Sequence, residues 1–127
     1  MPTPTAIPKD KMEVYRRTAR RRFSERAHRL SELRNRAMAV VRQAADLLKK
    51  EYGVEAVYLF GSLAESPPVF DERSDVDLAV RGLSETVYLR VVSRLLDLDH
   101  AFDVDLIQME TAPESLMKKI EKEGVRI

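Results

Sequence analysis

Cysteine and tryptophan are absent from the 127 residues, and only four glycines occur. Without cysteine there is no disulfide framework and no Cys-ligated zinc or iron–sulfur site. No run of about 18 apolar residues exists, so no membrane span is expected. The opening MPTPTAIPKDK has none of the apolar h-region of a secretory signal. The expectation is a soluble, cytoplasmic protein of one domain, at a length that buries a sizeable core unaided. The chain also has almost no net charge, at +1, but that figure hides a segregation. Residues 1–50 carry a balance of +9 and residues 51–127 one of −8. This reads as a basic element joined to an acidic domain. The basic part suits nucleic acid or an acidic protein surface, or it is a solvated helix face.

What is present organises itself around hydrophobic periodicity. Residues 1–8 hold three of the six prolines and read as an extended, poorly ordered lead-in. From Lys9 to Glu51 neither Gly nor Pro occurs, and Arg, Ala, Leu, Lys and Glu dominate, which is helical composition. Leu30, Leu33, Ala37, Val40, Ala44 and Leu47 repeat at helical spacing. Met12, Tyr15, Ala19 and Phe23 make a thinner stripe among seven arginines between Arg16 and Arg29. One helix over this span measures roughly 60 Å, longer than a small domain is wide. Either the Arg-rich part projects or the helix breaks, with Ser24 and Ser31 as N-cap points.

After Gly53, Val54–Phe60 reads as a strand and Gly61 to Ser74 as a loop. Asp75–Arg81 alternates, with Val76, Leu78 and Val80 on one face and Asp75, Asp77 and Ala79 on the other. Ser84 caps a helix carrying Val87, Tyr88, Val91, Val92, Leu95 and Leu96. Phe102–Met109 is a third strand, and Thr111-Ala-Pro-Glu114 is a capping box for a last helix ending near Gly124. Val125–Ile127 adds a short strand. The fold class is α+β: a small mixed β-sheet with helices packed on one face, preceded by a long basic N-terminal helix. The division is 1–29, a Pro-rich lead-in and Arg-rich extension, and 30–127, the globular domain.

Asp75 and Asp77 carry the first chemical anomaly. Residues i and i+2 of a strand project on one side, about 6.6 Å apart. Two carboxylates so placed repel unless something positive sits between them, and a hard divalent cation is the natural partner. Gly61-Ser62 opens a turn directly after an apolar strand, where the backbone can approach an anion and the hydroxyl adds a donor. Asp105 lies on the next strand, on the face opposite Val104 and Leu106. Three carboxylates from neighbouring strands beside a phosphate-binding turn form the layout of two-metal phosphoryl or nucleotidyl transfer.

The strings Val57-Tyr-Leu-Phe-Gly-Ser-Leu-Ala64, Ser74-Asp-Val-Asp-Leu78 and Val104-Asp-Leu-Ile107 resemble the minimal nucleotidyltransferases (MNT) of the DNA polymerase beta superfamily, over roughly residues 38–127. The resemblance implies that Gly61 and Ser62 hold nucleotide phosphates, and that Asp75, Asp77 and Asp105 are catalytic and bind metal, two Mg²⁺ ions with ATP as substrate. It also implies a partner, a small helical HEPN ribonuclease toxin, and a role as its antitoxin through transfer of AMP to a toxin tyrosine. After Gly-Ser-Leu-Ala the family commonly continues Arg-Gly, whereas Glu65-Ser66 stands here.

Two other functions stay open at this stage: a degenerate member that neutralises its toxin by binding alone, favoured by Glu65, and a nucleic-acid-binding module led by the Arg-rich helix. His28 and His100 lack second ligands at metal-site spacing. Asp97 and Asp99 read as a solvated turn. Asp103 is the reserve for the third carboxylate, because it shares the face of Asp105.

Overall fold

From Lys9 to Tyr52 the chain is a single helix, α1, with no break at Ser24 or Ser31. The computed structural model describes residues 7–127, so most of the expected Pro-rich lead-in, residues 1–6, lies outside them. Of the two alternatives left by the sequence, projection is the one adopted. Ala37, Val40, Val41, Ala44, Ala45 and Leu48 are buried, whereas nearly every residue before Leu30 is exposed. Good helix formers run through the junction, so the helix continues unbroken into the arm. Gly53 ends the helix in the left-handed conformation, at φ 61°, and Lys49 and Lys50 lie in the last turn.

Four strands follow: β1 (Ala56–Phe60), β2 (Val76–Arg81), β3 (Val104–Gln108) and β4 (Val125–Arg126). They form one mixed sheet in the order β3-β2-β1-β4. β1 is antiparallel to both β2 and β4, and β2 is parallel to β3. Helix α2 (Tyr88–Leu96) makes the crossover between the parallel pair. Ser84 does cap, but it caps a single 3₁₀ turn, Glu85–Val87, that leads into α2.

The strand alternation expected from the sequence sorts the core. Val57, Leu59, Val76, Leu78, Val80, Val104 and Leu106 point to one face and pack with the buried stripe of α1 and with Val91 and Leu95 of α2. Burying each such side chain is worth about 1.5–3 kcal/mol. The other face carries a smaller cluster, in which Ala79, Tyr58 and Phe60 meet Leu116, Met117 and Ile120 of α3 (Glu114–Glu123). Helices α1 and α2 thus share a face, while α3 packs on part of the second.

Two local expectations are corrected. The Thr111–Glu114 capping box does not form: Pro113 is the N-cap, without a side-chain bond, and the Thr111 hydroxyl donates back to the Gln108 carbonyl. Proline next to Glu114 fixes the entry geometry and leaves Thr111 two residues short of the helix. Nor is Asp99 merely solvated. It accepts two bonds from the Arg36 guanidinium, at 2.6 and 2.7 Å, and one from the Ala101 amide. Among the described residues, no helix is long and apolar enough to cross a membrane.

Candidate active site

Gly61 follows β1 with φ +77°, and a Cβ there would stand 2.2 Å from Asp77 Oδ2. Only glycine lets the turn close directly against that carboxylate. The turn is tied internally: the Ala64 amide donates to the Gly61 carbonyl at 3.1 Å, and the Val69 amide to the Ser62 carbonyl at 3.0 Å. Behind it, Phe70 is fully buried against Phe102, with ring centroids 6.0 Å apart. Arg34 of α1 donates to the Phe70 carbonyl at 2.9 Å, and Arg26 bonds Glu72 at 3.1 Å. The long loop is therefore fastened to α1.

Asp77 pairs in register with Asp105 across the parallel β2–β3 ladder, and Val76 with Val104. One step back along the same register sets Asp75 beside Asp103. Alternation points all four side chains to the face opposite the main core, neighbouring strands being about 4.8 Å apart. The result is a two-by-two patch of carboxylates at the sheet edge where Gly61 turns. Asp77, half-buried, has its carboxyl pushed up to about 6, first by burial and then by the charges of Asp105 and Asp75. Asp75 is raised too, by partial burial and then by Asp105 and Asp103. These directions are those of like charges crowded without a counter-ion.

Among the described residues, no Lys, Arg or His lies in ion-pair distance of these four carboxylates. Nor do any three His, Cys, Asp or Glu side chains there converge closely enough to hold a metal ion as they stand. The backbone supplies the juxtaposition and the side chains stay apart, as uncompensated like charges do. The donor set still suits a hard divalent cation, being all oxygen, anionic and free of protein cations.

Beside the turn lies a cavity of about 760 Å³, lined among others by Phe60, Gly61, Ser62, Glu65, Leu116 and Lys119. Its size is that of a small-molecule pocket. All five residues singled out in the sequence thus border one edge of the sheet, with Asp103 joining them. What sequence reasoning missed is the wall supplied by α3. Lys119 reads as a helix-dipole lysine, yet it lies one turn from Leu116 and next to Ile120, and so at the rim of the buried face. Only the placement of α3 across β1 turns that spacing into a cavity wall.

A four-stranded mixed sheet with a Gly-Ser turn and carboxylates at its edge is a nucleotidyltransferase architecture. The family model for the polymerase beta nucleotidyltransferase domain matches residues 42–127, and the chain belongs to this family. Among solved structures, a toxin–antitoxin complex with AMP-PNP matches with a TM-score of 0.55 at 22% identity, covering 66% of this chain and 69% of the other. A complex of the toxin–antitoxin pair MntA–HepT matches at 0.53 and 22%, covering 70% and 69%. A protein described as a minimal nucleotidyltransferase matches at 0.55 and 26%, covering 76% of this chain and 94% of the other. At such identities these likenesses speak to the fold. No curated protein matches the sequence.

Proposed function

We propose that the protein is a Mg²⁺-dependent nucleotidyltransferase that moves AMP from ATP to a protein hydroxyl, a tyrosine of a HEPN-type toxin, and so acts as that toxin's cytoplasmic antitoxin. The observation that carries this reading is the Asp77–Asp105 pair set in register against Gly61, with no cation of the described residues in ion-pair distance. The toxin–antitoxin complexes among its structural relatives, one holding AMP-PNP, support the choice of partner and nucleotide.

In this reading residues 30–127 are the transferase domain and residues 1–29 an extension. Asp75, Asp77 and Asp105 would hold two divalent ions, whose charge would neutralise phosphate and favour ionisation of the attacking hydroxyl. Gly61 gives the triphosphate close access to the backbone, and the Ser62 hydroxyl donates to it. Asp105, nearest the open edge, orients the acceptor hydroxyl for in-line attack on the α-phosphorus, and pyrophosphate leaves. Lys119 lines the same cavity as Glu65 and would supply a cation toward the phosphates there. Incubation with α-labelled ATP, Mg²⁺ and a HEPN-type toxin should label the toxin. Asp75→Asn with Asp77→Asn should abolish the label.

Glu65 in the wall of the cavity favours a second reading, neutralisation of the partner by binding alone. If the double variant protects cells from the toxin as fully as the parent, that second reading replaces the first.

A further inference from the structure

We infer that the projecting part of α1 is a docking arm for the macromolecular acceptor, and that it recognises an acidic amphipathic helix. Its position supports this. Residues 26–36 run beside the segments that lead into the carboxylate patch: Arg26 holds Glu72 and Arg34 holds the Phe70 carbonyl ahead of β2, while Arg36 holds Asp99 ahead of β3. α1 therefore leaves the domain at the catalytic edge, and residues 9–25 extend roughly 25 Å beyond it.

Its chemistry is equally specific. Met12, Tyr15, Ala19 and Phe23 follow each other at three- and four-residue spacing. They lie on the helix face that Leu30, Leu33 and Ala37 present to the domain, with Arg26 standing between the two stretches and reaching Glu72. Here Met12 is partly covered, while Tyr15 is 56% and Phe23 78% exposed among the described residues. Helical spacing places Arg16 and Arg20 on one flank of the stripe, and Arg22 and Arg29 on the other. An apolar seam between two basic flanks is the complement of a helix with an apolar seam between acidic flanks.

A second copy of the arm would set arginine against arginine. A phosphate strand would be met by Arg17 and Arg21 on the opposite face, with Arg20 beside them, but it would leave the apolar seam of Met12, Tyr15, Ala19 and Phe23 uncovered. The acceptor role of the docked chain rests on the transferase reading; the docking does not.

The test uses the full-length protein and a fluorescein-labelled four-heptad peptide with Leu at a and d and Glu at e and g, whose own charges keep it monomeric. Anisotropy at low salt should show it bound at least about tenfold more tightly than the same peptide with Lys at e and g. Tyr15→Ser with Phe23→Ser, and separately Arg16→Glu with Arg20→Glu, should each weaken it at least about tenfold and leave the ATP·Mg²⁺ shift in Tm unchanged. Tighter binding of polyuridylate or of phosphatidylglycerol vesicles than of the Glu peptide would overturn the inference. So would peptide binding indifferent to the Tyr15 and Phe23 changes, or self-association that those changes abolish. Peptide binding without any ATP·Mg²⁺ shift would remove the acceptor role and the transferase reading, and leave the docking established.

Discussion

The acidic side chains of this chain fall into two sets that differ in what faces them. Glu51, Glu72 and Asp99 each meet an arginine from a distant element, Arg94, Arg26 and Arg36 respectively; each carboxyl is held below its usual range, Glu51 and Asp99 chiefly by that arginine, Glu72 first by a backbone amide and then by Arg26. Asp75 and Asp77 meet other carboxylates and are pushed the other way. The first set fastens α1 to two loops and to α2. The second is left with repulsion that the fold does not relieve, a cost borne where a ligand can cancel it.

The sharpest way to break this contrast is Asp77→Asn. Mg²⁺ with ATP should raise the Tm of the parent by mass action, and the variant should lose that shift. A full shift in the variant would detach the carboxylate patch from nucleotide binding.

Gly61→Ala comes next. Its Cβ would press on Asp77 Oδ2 at 2.2 Å in a backbone conformation that L residues rarely adopt. Urea unfolding should show a loss of about 1–3 kcal/mol. Combining the change with Asp77→Ala should recover part of that loss, because the clash partner is gone; no recovery would assign the cost to φ alone.

The smallest effect is the most diagnostic, because its sign differs between the sets. Asp77 binds its proton more tightly folded than unfolded, with a value of about 6 against an ordinary 3.8. Its contribution therefore falls as pH rises from about 4 to 6. Asp77→Asn should be more stable than the parent at neutral pH, and the gap should close on acidification through that window. Asp99 is depressed by Arg36, so its contribution is present above its ordinary value and is lost as pH falls through the lowered one. Asp99→Asn should lower Tm slightly at neutral pH, with a deficit that persists at pH 5. Parallel thermal melts would show both trends, and equal pH profiles for the two variants would contradict the division.

The sequence carried the features that depend on local pattern. The unbroken helical composition from Lys9, the alternation of Val76, Leu78 and Val80 against Asp75 and Asp77, and the Gly61–Ser62 turn all stand where their periodicity placed them. The family resemblance drew on the same strings. What stayed hidden depends on contacts between distant residues. Arg36 and Asp99 are 63 positions apart, so nothing local distinguishes Asp99 from the solvated Asp97. The choice between a broken and a projecting α1 turned on whether neighbours at Ser24 and Ser31 reward a turn, and none does. Lys119 acquires a role only when α3 is laid across Tyr58 and Phe60.

Phe70 has a kinetic consequence. It plugs the main core from the middle of a loop that carries two adjacent prolines, and its carbonyl is held by Arg34. A phosphate-binding turn that must be ordered by its ligand spends part of the binding free energy on conformational entropy. Here the chain's own Phe70 and Arg34 pin the loop, so encounter rather than loop closure should govern how fast a nucleotide is captured. The amide of Val69, bonded to the Ser62 carbonyl, is the reporter of this state. It should exchange with solvent as slowly in the ligand-free protein as in the nucleotide complex, and Phe70→Ala should release it.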